Sequence, residues 1–275
     1  MRKQPLLNTT INNVSMVEAL QTICQLIEEK SKSYVVAVNV DVIIKIDKDE
    51  YLQRIADEAT LTLVDGKPLM WIAKWHKHPV KEKISGSDLV PELCKIAAEK
   101  GYSIYIIGGA EDVLEKAKGN LCSEIKGIRI VGTYSPPFGF ENDPEEIDKI
   151  NKKITRVHPD IVIACFGCPK QEKWIYENYL KYDGTVSICA GATVDFLAGS
   201  VKRAPKWMTE HGLEWFYRFL QEPKRLFKRY FIEDMKIIKL IIKYSRGGGT
   251  ALANSIYFVR TVAISTYLNI MEVAI

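Results

Sequence analysis

Residues 163–199 read IACFGCPKQEKWIYENYLKYDGTVSICAGATVDFLAG, and their pattern decides the fold. Two apolar runs, 161–166 and 186–190, are each closed by a glycine, Gly167 and Gly191. The first opens through PKQE into a helix-like stretch, and the second opens into GATVDFLAG. Short apolar runs that give way to helical periodicity are the pattern of strands buried on both faces of a parallel sheet. Ligands of such sheets collect beyond the carboxyl ends of the strands, where short loops meet helix N-termini. Two polar loops of this kind so close together point to a binding site rather than a plain core.

The alternation extends toward the N-terminus. Helical spacing runs through 14–29 (Val17, Leu20, Ile23, Leu26, Ile27), 49–59, 68–75, 89–99, 112–122 and 144–156. Between these segments lie β-rich runs at 34–38, 61–64, 102–107, 128–131 and 160–166. Strand followed by helix, repeated, predicts an α/β fold: a mainly parallel sheet with helices on both faces.

Beyond Gly199 the strands stop. Residues 207–220 and 226–244 read as two helices. In the second, Arg225, Lys228, Arg229, Lys236, Lys239 and Lys243 fall mostly along one side, with aromatic and aliphatic residues over the rest. Such a helix either lies on an anionic membrane surface or packs on its own domain with a solvated basic face. Gly247–Gly249 form a flexible break. The stretch 250–275 is apolar and long enough to span a bilayer. Arg260 near its middle costs about 3 kcal/mol on insertion scales, which favours an interfacial or packing helix. The expected plan is a catalytic α/β domain over 1–200, a basic helical appendage over 201–246, and a tail over 247–275.

Composition fits this plan. The 275 residues are 47% hydrophobic and 26% charged, an ordinary globular balance with room for a large core. Of the net charge of +4, residues 202–246 carry 12 basic and 5 acidic groups, so the remainder is net negative. That asymmetry predicts an anionic partner for the C-terminal part: phosphate, nucleic acid or an acidic membrane. The opening MRKQPLLNTTINN has no apolar run suited to a signal peptide, so a cytoplasmic body is expected. Most of the six cysteines sit in apolar runs and read as reduced core residues. Cys165 and Cys168 form a lone CxxC without a second ligand pair, and packing is the expected role there too.

Polar residues at the predicted strand ends are Asn39, Asp41, Asp65, Ser85, Asp88, Tyr134, Lys170, Gln171, Thr193 and Asp195. A parallel sheet would gather them at one edge. Asp65 follows LTLV and precedes Gly66, so it sits in a tight turn facing the crevice. A carboxylate there serves equally as a proton acceptor for an attacking hydroxyl or as the N-cap of a helix beginning near Pro68. Ser85-Gly86-Ser87-Asp88 reads as an N-cap whose backbone amides could hold a phosphate. Gly108-Gly109 at a strand end is a weak nucleotide signal, and neither GxGxxG nor a P-loop is present. Asp47-Lys48-Asp49 resembles the DxD of metal-dependent sugar transferases, but acidic residues at a helix start explain it more simply. His76 and His78 read as surface-loop residues, and the five tryptophans as core or interface residues.

These residues carry a family resemblance. From about residue 11 to 239 the chain resembles the WecG/TagA/CpsF glycosyltransferases, glycosyltransferase family 26. The matching stretches include V64DGKP, SGSDL at 85–89, Gly108-Gly109, PPFG at 136–139 and FGCPKQE at 166–172. They continue through GATVDFLAG, KRAPKW at 202–207 and GLEWFYRFLQEPKRLFKRY at 212–230. The resemblance implies a Rossmann-like fold with a membrane-associating appendage. It also implies inverting, metal-independent transfer of N-acetylmannosamine or its uronic acid from a UDP-sugar to GlcNAc-diphospho-undecaprenol. No cofactor is implied. The implied partners are that donor, that lipid acceptor and an anionic membrane surface on the inner face of the cell membrane. Nucleic acid is not among them, and a homo-oligomer stays open. By motif, Asp65 is the general base. The substrate-binding positions are Asn39, Gly66, Lys83, Ser85, Asp88, Gly108, Gly109, Tyr134, Lys170, Gln171, Glu172, Thr193, Asp195 and Arg203. Arg218, Arg225 and Arg229 of the appendage are implied to bind diphosphate.

Three positions depart from the family pattern: Ala37 where Thr is frequent, Val42 where His is frequent, and Lys83 where Arg is common. Lysine cannot make the bidentate contact of arginine. These departures leave two alternatives beside N-acetylmannosamine transfer: another UDP-sugar donor, or a membrane-docked scaffold without catalysis.

Overall fold

Strands apolar on both faces need helices above and below, and the computed structural model of the chain has that arrangement. It describes residues 2–245; the glycine break and apolar tail at 247–275 lie outside the described residues. The elements, in chain order, begin with β1 (Lys3–Leu6), β2 (Thr9–Asn12), α1 (Met16–Glu28), β3 (Ser33–Val38), α2 (Val40–Ile46), α3 (Glu50–Glu58), β4 (Leu61–Val64) and α4 (Lys67–Trp75). Then come α5 (Gly86–Lys100), β5 (Ser103–Ile107), α6 (Glu111–Glu124), β6 (Arg129–Tyr134), α7 (Pro144–Val157), β7 (Ile161–Ala164), α8 (Lys170–Asn178) and β8 (Val186–Cys189). The chain continues as α9 (Thr193–Leu197), α10 (Lys206–Glu210), α11 (Glu214–Gln221), α12 (Pro223–Lys228) and α13 (Ile237–Ser245).

Six strands form one parallel sheet in the order β4-β3-β8-β7-β5-β6. Side chains alternate across it with the strand period of two. Tyr34, Val36 and Val38 of β3 and Tyr105 and Ile107 of β5 join one core with α2, α3, α4, α7 and α8. Val35, Ile104, Ile106, Ile161, Ile163, Val186 and Ile188 join the other, with α1, α5 and α6. The predicted α/β sandwich is therefore the observed one.

Two elements escaped the sequence reading. The β1–β2 hairpin, pairing Lys3 with Asn12 and Leu6 with Thr9, is masked by Pro5 and a run of polar residues. VDVIIKI of α2 is rich in β-branched residues, which weakens its helical signal, yet Asn39 caps it by accepting from Val42 N at 3.1 Å.

The C-terminal helices differ from the expected pair. The segment 207–220 is broken between α10 and α11, where Gly212 adopts φ +75°, a conformation that ends a right-handed helix. Residues 226–244 are not one helix either: a π turn at Arg229–Glu233 and a 3₁₀ turn at Asp234–Lys236 separate α12 from α13. Irregular turns of this kind re-aim the side chains that follow. Leu226 is buried before the turns, and Leu240 and Ile241 are buried against the body after them. Between them Arg229, Tyr230 and Asp234 face a cleft. Among the described residues, no helix is long and apolar enough to cross a membrane.

Candidate active site

The buried strand β4 delivers Asp65 to the carboxyl edge of the sheet. Its backbone is locked on both sides: Asp65 N donates to Val38 O and Ile84 N to Val64 O, both at 2.8 Å. The residue capping α4 is Gly66, without a side-chain cap bond, so the carboxylate of Asp65 is not used as the helix cap. It is half-buried, and Asn39 Nδ2 donates to its Oδ2 at 3.5 Å. Burial pushes its carboxyl above the ordinary aspartate range, Glu214 adds to the push, and Lys83 and Asn39 oppose it. A carboxyl tuned upward and facing a cleft is suited to accept a proton.

Beside it lies a charge network. Lys83 Nζ is 2.8 Å from Asp88 Oδ2 and 3.4 Å from Glu214 Oε2. Burial disfavours the ammonium, but Glu214 and Asp88 outweigh it and hold the lysine charged. Ser85 and Asp88 form a capping box at the start of α5, with Ser85 Oγ 2.6 Å from Asp88 Oδ2. Arg203 pairs with Asp88 and donates to Ser87 O at 3.2 Å. Burial would raise the Asp88 carboxyl, yet Lys83, Ser85 and Arg203 together bring it down to about 2. Asp88 is thereby a fixed anion that arranges two cations. Glu214 belongs to α11, so this network also ties the appendage to the body.

The appendage closes the site. A cleft of about 560 Å³ runs between α4 and the appendage, within the roughly 300–1,000 Å³ usual for ligand pockets. Its polar lining includes Asn39, Asp41, Asp65, Lys83, Glu214, Arg218, Arg229 and Asp234. Arg229 lies 3.9 Å from Asp41 Oδ2, and the Arg218 guanidinium sits 5.3 Å from the centre of the Phe196 ring. Arg225 is placed differently: it pairs with Glu222 and, with Arg218, opposes the upward push of burial on Asp195.

The middle of the sheet edge is tightly built. Gly108, at φ +101°, has no room for a side chain, since a Cβ would lie 2.7 Å from the Cys165 carbonyl carbon. Gly109 abuts Val194. Thr193 Oγ1 donates to Ala190 O at 2.5 Å and lies 3.4 Å from Ser87 Oγ. Thr193, Ser87 and Arg203 border a smaller hollow. Gln171 is buried with both ends of its amide engaged, Oε1 accepting from Gly191 N at 2.9 Å and Nε2 donating to Glu172 Oε1 at 2.8 Å. It thus links the loops after β7 and β8. Burial pushes the Glu172 carboxyl up. Lys170 is paired with Glu141 beside the Phe138 ring.

The expected residues therefore fall into groups. Asp65, Asn39, Gly66, Lys83, Arg218 and Arg229 share one cleft, and Ser85, Asp88 and Arg203 adjoin it through the Lys83 network. Tyr134 ends β6, five strand spacings from β4, or roughly 24 Å away. It hydrogen-bonds Glu146, with Lys149 and Lys153 over its ring, and is not brought to Asp65. Asp49 caps α3 and pairs with Lys173, while Asp47 pairs with Lys243, as the simpler reading of the DxD expected. Burial drives the thiol of Cys165 up to about 12 and that of Cys168 upward as well, which suits inert packing.

Glu214, Asp234, Trp71, Trp215 and Tyr230 line the cleft and were not singled out as site residues. Glu214 and Trp215 lay inside the GLEWFYRF stretch, so a signal existed; Asp234 had none, because the π turn that aims it is not written in any periodicity.

An appendage-roofed cleft at the carboxyl edge of a parallel sheet, lined by both cations and carboxylates, is the kind of site at which α/β enzymes bind polar ligands. More narrowly, the chain belongs to the glycosyl transferase WecG/TagA/CpsF family, whose model matches residues 4–250. It is 31% identical over 199 residues to the N-acetylglucosaminyldiphosphoundecaprenol N-acetyl-beta-D-mannosaminyltransferase of Bacillus subtilis, covering 72% of this chain and 75% of that one. Proteins of the same name from Bacillus spizizenii (27%, covering 84% and 86%) and Staphylococcus aureus (24%, covering 82% and 87%) are also similar. The protein is a glycosyltransferase.

Proposed function

We propose that the protein moves N-acetylmannosamine from UDP-N-acetylmannosamine to the GlcNAc of GlcNAc-diphospho-undecaprenol, with inversion, in teichoic acid or surface polysaccharide synthesis. The observation that carries this reading is the half-buried Asp65, oriented by Asn39 in a cleft that Lys83, Arg218 and Arg229 also line. The acceptor hydroxyl oxygen attacks the anomeric carbon from the face opposite UDP. As that bond forms, the bond from the anomeric carbon to the diphosphate oxygen breaks, and UDP leaves with the electron pair. Asp65 takes the hydroxyl proton. Cations near the cleft neutralise the charge gathering on the diphosphate. The relatives' names supply the sugar and the acceptor.

The appendage is proposed to rest on the inner face of an anionic membrane. Leu220, Phe227, Phe231, Ile232 and Met235 are each about half exposed, an apolar patch among basic residues. α13 packs on the body instead, through Leu240 and Ile241.

The test is transfer from UDP-N-acetylmannosamine to a short-chain GlcNAc-diphospho-lipid, in EDTA, by wild type and by Asp65→Asn. Product from the wild type that falls by about 10²–10⁴ in the variant is expected. Equal rates from both proteins would refute Asp65 as the base. Product with another UDP-sugar alone would move the reading to that donor, where Ala37, Val42 and Lys83 are the residues to examine.

A further inference from the structure

The carboxyl ends of four neighbouring strands, β4, β3, β8 and β7, are joined through side chains. Asn39 after β3 reaches Asp65 after β4, and Gln171 after β7 reaches Gly191 N after β8. The link from β3 to β7 skips over β8 and runs through Lys45, near the end of α2. Its Nζ donates to Asp41 Oδ2 at 2.8 Å and to Cys168 O at 2.9 Å. A Lys–Asp pair four residues apart on a helix contributes little by itself. The second bond is different in kind, because it crosses 123 residues of chain to the loop after β7. Pro169 follows directly and has no N–H to anchor that loop.

α2 is a firm base for such a tie, since Val42, Ile43, Ile44 and Ile46 are buried. The appendage meets the same short helix at both ends. Arg229 lies 3.9 Å from Asp41 Oδ2, and Lys243 lies 2.8 Å from Asp47 Oδ1. Asp41 Oδ2 therefore receives one cation from its own helix and stands near a second from the appendage.

We propose that Lys45 is a positioning residue for the sugar-nucleotide donor, holding the loop that carries Lys170, Gln171 and Glu172 against α2, with Asp41 aiming it. The inference rests on the transferase reading above and adds how the donor loop is held. A charged donor on a carbonyl makes a stronger bond than a neutral one, and Lys45 commits two of its three N–H groups here. Losing it frees the loop and leaves the sheet beneath intact. A binding loop displaced by about 1 Å loses much of its affinity.

The test uses the full chain and the variants Lys45→Met, Lys45→Arg and Asp41→Asn. The first readout is amide exchange without ligand. Lys45→Met is expected to speed exchange at Gln171 and Gly191 and to leave Ile106, in the middle of β5, at the wild-type rate. Lys45→Arg should restore both amides, and Asp41→Asn should give part of the effect. The second readout is calorimetry with UDP. Lys45→Met is expected to weaken UDP about tenfold, and in transfer assays to raise the donor KM with kcat nearly unchanged. Unchanged exchange at Gln171 and Gly191, or equal acceleration at Ile106, would overturn the role of Lys45. So would equal UDP affinity in wild type and Lys45→Met, and in that case the transferase reading stands. Absence of UDP binding by the wild type would remove that reading and the donor role of Lys45 with it.

Discussion

Asn39 serves two residues at once: its Oδ1 caps α2 at Val42 N, 3.1 Å away, and its Nδ2 points at Asp65 Oδ2 from 3.5 Å. The helix cap fixes the amide, and the amide then fixes the carboxylate. Asn39→Asp keeps a capping oxygen but faces Asp65 with a second carboxyl. Like charge raises a neighbour's pKa, so the acid limb of the kcat/KM profile is expected to move up by about one unit or more. Asn39→Ala loses the cap instead and should cost about 1 kcal/mol of stability in a denaturant titration.

Lys83 holds together two carboxylates from different parts of the chain, Asp88 on α5 and Glu214 on α11. Removing one member of a mostly buried ion network leaves the others uncompensated. Lys83→Met is expected to destabilise by about 3 kcal/mol, read as a fall in melting temperature, and to loosen the appendage, read as faster proteolysis near 214. Lys83→Arg, which restores the residue common in the family, should retain both pairs and melt close to wild type.

Gln171 joins the loops after β7 and β8 through Gly191 N and Glu172. Gln171→Ala orphans a backbone amide and a buried carboxyl. A loss of about 1–3 kcal/mol is expected, with faster amide exchange at Gly191. Unchanged exchange there would leave the residue without this bridging role.

The strands were legible because each is apolar on both faces and closes at a turn residue; Leu61–Val64 and Ile161–Ala164 needed nothing more. The residues at their carboxyl ends followed from topology, which is why Asp65 and Asn39 could be placed at one sheet edge before any geometry. Two things were not legible. Strand order sets distance along the edge, and nothing local says that β6 lies five strands from β4, so Tyr134 was grouped with residues it does not meet. The appendage was read by helical periodicity, and its breaks lie at Gly212 and at a π turn, where tertiary packing overrides that period. The placement of Asp234 and of the α13 residues that line the cleft depends on those breaks.

Asp234 gives the protein a pH dependence of defined sign. Burial pushes its carboxyl from 3.8 up to about 6, with Arg229 pulling it back. Between roughly pH 4 and 6 the folded chain holds a proton that the unfolded chain has released. Its contribution is therefore most favourable below pH 4 and is lost as pH rises through 6. Asp234→Asn removes the titration and keeps the shape. The variant is expected to gain about 1–2 kcal/mol over wild type at pH 7.5 and nothing near pH 4, by paired denaturant titrations.

The apolar patch on the appendage makes the membrane reading testable without catalysis. Phe227 and Ile232 are each 53% exposed and lie beside Lys228 and Arg229. Burying two such side chains in a headgroup region contributes about 3 kcal/mol, and each adjacent cation adds about 1 kcal/mol on an anionic surface. Phe227→Ser with Ile232→Ser should therefore weaken sedimentation with phosphatidylglycerol vesicles by about a hundredfold. Wild type should itself release at high salt, because the cationic part of the attraction is screened. Neither residue lines the cleft, so transfer to a water-soluble acceptor should persist in the double variant while transfer to vesicle-borne lipid falls. Equal vesicle binding by the two proteins would place the membrane contact elsewhere on the chain.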